Sequence, residues 1–239
     1  MSRAERRALP PAPRLGRVLR TAAEDLYYHG VRLIAANLVW GIGAVLTAFA
    51  LTRSPFGLVA LLMMVPLTAG LMGMATALVR ERSVVMSDFI RPIRARFWRV
   101  LALGAAQLAL TFIAGFDLVL GLQIGGIIGI VMAVVAFYTG VALWVLAWTI
   151  WPIVTDPERR GEPVRSCVRL GALLVLAHPV RIGLMALLLA AITLVSTILA
   201  AAIITFAAAF LALVAAHFVL PSADRLEGRE TMIVEGSEP

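Results

Sequence analysis

The sequence holds no lysine: all 21 basic residues are arginine, set against 14 acids for a formal charge of +7. A bias this complete follows most simply from GC-rich codon usage, so the basic balance alone names no partner. Cysteine is reduced to Cys167, which excludes an intramolecular disulfide. Histidine is nearly as scarce, and His29, His178 and His217 lie far apart, with no HExxH pattern and no acidic partner at metal-ligand spacing. Cys167 has no histidine nearby to activate it. Neither an enzyme nor a cofactor nor a metal is expected.

Charge of either sign is also sparse. Only 15% of the 239 residues are charged and 61% are hydrophobic, whereas ordinary globular chains carry about 25% charged residues. The apolar excess falls in long runs, and runs of roughly 18 or more apolar residues mark bilayer-spanning helices. The first, from Val31 to Thr52, ends in an Ala48-Phe49-Ala50 triplet that resembles a signal-peptidase site. The run is long enough to cross the hydrocarbon at about 1.5 Å per residue and follows an unusually long basic lead, so it reads as a span.

Further runs extend from Phe56 to Val79, Phe97 to Leu120 and Ile124 to Val154. Trp144, Trp148 and Trp151 near the end of the fourth are expected in the headgroup layer. The stretch from 170 to 177 is too short to cross and reads as an interfacial helix. Val180 to Leu220 is twice the length one crossing needs, so it must double back, with Ser196-Thr197 marking the neighbourhood of the turn.

The expected fold is therefore all-α: a polytopic membrane protein of six transmembrane helices in three hairpins, with interfacial amphipathic helices. Residues 1–20 are expected to form a disordered basic segment, 21–221 the membrane domain, and 222–239 a polar acidic tail. Arginine placement supports the count. Every arginine except Arg53 falls in the N-terminal segment or, as Arg32, at the start of the first run, in the 80–99 loop, the 155–181 region or the C-terminal tail. Cytoplasmic loops carry the arginine and lysine excess, which puts both termini in the cytoplasm.

The segment SDFIRPIRARFWRV, residues 87–100, mixes Arg91, Arg94, Arg96 and Arg99 with Phe89, Phe97 and Trp98. In a soluble chain this mixture would suggest nucleic acid. Between two spans it reads instead as a surface helix, with rings in the acyl boundary and guanidiniums among anionic headgroups. Arg91, Arg94, Arg96, Arg99 and Trp98 are the expected lipid contacts, and no nucleic-acid partner is expected.

Polar groups within spans are costly and are functional candidates by default. Asn37 and Gln107 are the clearest, beside the helix break expected at Pro66. The structural alternative has the two amides bridging helices or bonding a carbonyl freed by Pro66. His217 is expected to reach out to the surface. No ionisable side chain falls mid-span, which weakens an ion-coupled carrier. Gly121, Gly125 and Gly129 recur every four residues, a spacing that permits close helix packing within the chain or in a homo-oligomer.

Several short motifs carry a resemblance. Asn37-Leu38-Val39-Trp40, Pro66-Leu67-Thr68-Ala69 with Ala75-Thr76-Ala77, Asp88-Phe89 with Phe97-Trp98, and His178-Pro179 resemble, in order and spacing, the YesL-like bacterial membrane proteins, a domain of unknown function. The likeness covers residues 20 to 220. It implies a compact helical protein of the bacterial cytoplasmic membrane whose genes often sit beside carbohydrate uptake and degradation systems, and it supplies no catalytic residue; with the lack of buried charge, it leads to the expectation of an accessory or regulatory partner of a carbohydrate transport permease. A sugar-type permease without ion coupling is the alternative.

Overall fold

The computed structural model describes residues 13–53, 57–199 and 206–229. Within them the chain is helical, with no strand, and six helices are long and apolar enough to cross a membrane. These are α2 (Gly30–Arg53), α3 (Gly57–Glu81), α4 (Met86–Ile124), α5 (Gly126–Thr155), α7 (Pro179–Ile198) and α8 (Ala208–Glu227). Two shorter helices, α1 (Leu15–Tyr28) and α6 (Val164–Ala177), and a 3-10 turn at Pro157–Arg159 complete the order.

Burial ranks the long helices. In α8, 78% of the most apolar window is buried, against 11% in α4 and in α5. Helix α8 is thus the axis of the bundle, packed by α1, α2, α3, α5, α6 and α7. Its small side chains, Ala209, Ala212, Ala215 and Ala216 among them, let neighbours approach from every side. Helices α4 and α5 pack along one another and turn Phe112, Phe116, Ile127 and Val131 outward. Gly125 and Gly126, both at positive φ, make the turn between them. Gly121 allows the close approach beside that turn, because a Cβ there would lie 2.7 Å from the Gly129 carbonyl and the Ala133 amide.

Helix α4 is broken at Arg96, whose φ of −141° and ψ of 28° are not helical. The break separates a first limb, carrying Pro92, from the long apolar limb that follows. Asp88 fixes the start of the first limb by accepting the Val85 amide at 2.9 Å.

The boundaries differ from expectation at both ends. Residues 15–20, expected to be disordered, begin α1, because Val18 and Ala22 form a buried stripe where α1 packs on α8; residues 1–12 lie outside the described residues. At the other end α8 continues to Glu227, and Ser222, Ala223 and Asp224 are buried, so this part of the expected tail belongs to the bundle. Residues 230–239 lie outside the described residues. Helix α7 runs through Ser196 and Thr197 to Ile198, so the turn expected in their neighbourhood is not among the described residues, which omit 200–205.

Candidate functional site

Asn37 and Gln107 serve separate places. Asn37, fully buried on α2, accepts the backbone N–H of Ala209 through Oδ1 at 2.6 Å. Ala209 lies in the first turn of α8, directly after a π-type turn at Phe206 and Ala207. The asparagine therefore ties this end of α8 to a different helix. This is helix bridging of the kind the sequence allowed, made through an amide donor and not through a carbonyl freed by Pro66. Pro66 lies within α3, and neither it nor Asn37 lines the cavity at Gln107.

That cavity, about 290 Å³, is enclosed by α2, α3, α4, α5, α7 and α8. Four of the five tryptophans line it: Trp40, Trp144, Trp148 and Trp151. The three α5 indoles, expected in the headgroup layer, are instead turned into the bundle, while Trp98 is the outward indole at 77% exposure. The i, i+4 spacing of Trp144 and Trp148 stacks them edge to face, with centroids 5.5 Å apart.

Three indole N–H groups have acceptors. Trp40 donates to Thr68 Oγ1 at 3.0 Å, Trp144 to the Ala186 carbonyl at 3.2 Å, and Trp151 to Gln107 Oε1 at 2.8 Å. Among the described residues, the Gln107 NH2 group and the Trp148 N–H have no acceptor. Among the described residues, no acidic or basic side chain lines the cavity. It can hold a neutral molecule with flat apolar faces and acceptor oxygens. An ion left unpaired there would lose its hydration uncompensated.

A second feature lies at the arginine-rich end and was missed in the sequence. Arg80, near the end of α3, donates to Asp156 at 2.7 Å and to Asp224 at 2.6 Å. Arg159 in the 3-10 turn pairs with Asp156 at 2.5 Å, Asp224 at 2.6 Å and Glu227 at 2.8 Å. Arg159, Asp156 and Asp224 are almost wholly buried. Burial opposes the Arg159 charge, but Glu227, Asp156 and Asp224 outweigh it and hold its pKa above the usual arginine value. The network joins α3, the end of α5 and α8. Its bonded pairs reach across as many as 144 residues, from Arg80 to Asp224, so no local spacing could have announced it.

The arginines of 87–100 divide. Arg96 is not available to lipid, a correction to the expected contact set. The helix break turns it inward, where it donates to the Val154 carbonyl at 3.0 Å and the Arg159 carbonyl at 2.5 Å. Arg91 is part-exposed beside Asp88 and Glu81, and Arg94, Arg99 and Trp98 are exposed. His217, expected to reach the surface, instead meets Asp25 at 2.6 Å and ties α1 to α8. Cys167 is fully buried, which raises its thiol pKa.

Comparison with protein-family models, curated proteins and solved structures returns no match.

Proposed function

We propose that this is a multi-pass protein of the bacterial cytoplasmic membrane, YesL-like in kind, acting as an accessory or regulatory component beside a carbohydrate uptake permease. Its spans form three hairpins, α2–α3, α4–α5 and α7–α8. The first limb of α4 and helices α1 and α6 lie along the cytoplasmic surface, both termini are cytoplasmic, and Arg91, Arg94, Arg99 and Trp98 meet anionic lipid. Alternating arginine-rich and arginine-poor ends support the orientation. The carbohydrate link rests on the sequence resemblance alone.

The observation that carries the accessory role is the buried ion network. It clamps α3, α5 and α8 together at one end, and rocking one part of the bundle against another would break charge pairs that are costly to separate. Among the described residues, no acid or base lines the cavity to couple an ion. A second reading, a permease without ion coupling, is favoured by the cavity at Gln107. Reconstitution into proteoliposomes separates the two. No flux of any candidate sugar, with co-purification of a solute-uptake permease from detergent extracts, supports the accessory role. Flux that falls on Gln107→Leu supports the permease.

A further inference from the structure

The cavity at Gln107 has a side passage. An open groove of about 590 Å³ runs between α4, α5 and α7, walled by side chains such as Leu118, Phe137, Val141 and Leu194. Trp144 and Thr193 belong to both the groove and the cavity, so the two spaces adjoin. Phe137, Val141 and Leu194 are exposed on helices long enough to cross a membrane, which opens the groove toward hydrocarbon and not toward water. Two of its three hydroxyls are already used, Thr193 donating to the Leu189 carbonyl and Thr197 to the Thr193 carbonyl, each at 2.8 Å; Thr111 has no partner among the described residues, and the rest of the lining is apolar. The groove therefore offers an apolar wall, while the cavity offers the Gln107 NH2 group and the Trp148 N–H as donors without acceptors among the described residues.

Depth fixes the orientation of an occupant. Gln107 lies 11 residues beyond the Arg96 break and Leu118 lies 22, so at about 1.5 Å per residue the polar end is the nearer to the arginine-rich surface. A lipid of that leaflet has its head and chain in the same order.

We propose that cavity and groove together bind one uncharged lipid of the diacylglycerol class. Its ester or hydroxyl oxygens accept from Gln107 and Trp148 between the indole faces, and an acyl chain lies in the groove. The ligand arrives sideways from the leaflet at the arginine-rich end, past Trp144. A charged headgroup is rejected because none of the described residues lining the cavity neutralises it. The proposal stands on the cavity and groove alone and does not depend on the accessory role.

The test uses the full chain in phosphatidylcholine nanodiscs with Trp98→Phe, so that every remaining tryptophan lines the cavity. Diacylglycerol with brominated chains is titrated against phosphatidylcholine carrying the same chains, and indole quenching is read. The expected result is quenching by the diacylglycerol in excess of the phosphatidylcholine control at equal mole fraction. Gln107→Leu should weaken the apparent affinity about 3- to 10-fold, the equivalent of one lost hydrogen bond. Gly140→Leu, where a Cβ meets open space, should fill the groove and remove the excess without disturbing packing. Equal quenching by the two lipids overturns the proposal, as does an excess that survives both substitutions. A response to methyl glucoside in the aqueous phase, with none to the diacylglycerol, overturns it in favour of a water-borne solute.

Discussion

Asn37 and Ala209 stand 172 residues apart in the chain and meet through one hydrogen bond of 2.6 Å, side-chain oxygen to backbone amide. That bond ties α2 to the first turn of the central helix. Replacing Asn37 with Leu leaves the Ala209 amide without its side-chain acceptor, and a buried donor without a partner costs about 1–3 kcal/mol. Thermal unfolding in detergent should show Asn37→Leu losing stability on that scale. Asn37→Ser, which keeps an oxygen on a shorter side chain, should lose less.

Arg159 is the least replaceable cation in the bundle. It is wholly buried and pairs with three carboxylates. Arg159→Met leaves Asp156 and Asp224 sharing Arg80 alone and Glu227 with only the part-exposed Arg229, and breaking a buried pair from one side costs about 3–5 kcal/mol. Chemical unfolding of the variant in detergent should register a loss of that size. Arg94→Met, at an exposed position with no ion pair among the described residues, should change stability by less than about 0.5 kcal/mol.

Cys167 offers a pH-dependent readout. Burial raises its thiol pKa, so the native state keeps a proton that the unfolded chain releases above about 8.5. The unfolded state binds fewer protons there, and stability falls as pH rises through that value. Cys167→Ala should abolish this alkaline decline. In the native protein maleimide labelling should be slow, with its rise displaced to higher pH than for a free thiol, and detergent denaturation should restore ordinary labelling.

The α4–α5 contact depends on hydrogen at the Gly121 α-carbon. Gly121→Val drives methyl groups into the backbone of Gly129 and Ala133, an overpacking expected to cost about 1–3 kcal/mol. Gly115→Val, where a Cβ meets open space, is the matched control and should unfold within a degree or two of the parent protein, by about the scatter of surface changes.

The six long helices were legible because hydrocarbon imposes a length and a composition that a single run displays by itself. Gln107 was legible for a related reason, since an amide in an apolar run stands out. Its four indole neighbours were visible as residues but not as a lining, because three of them lie within eight positions of one another on α5 and suggested a surface belt. Arg96 misled for a local reason. It shares a run with three other arginines, and only the break in its own backbone turns it from lipid toward the Val154 and Arg159 carbonyls. The clamp of Arg80, Asp156, Arg159, Asp224 and Glu227 was hidden because charged residues at span ends are commonplace. Only the tertiary fold brings these five together.

Helix α8 leaves the ribosome after every helix it touches. Until it arrives, α2, α3 and α5 have no common axis, Asn37 faces no amide, and Arg80 and Arg159 lack Asp224. The membrane must therefore shelter an unfinished ring of helices during synthesis, closed by a plug threaded in afterwards. A ribosome stalled before residue 208 would leave that ring open, a natural target for membrane quality control.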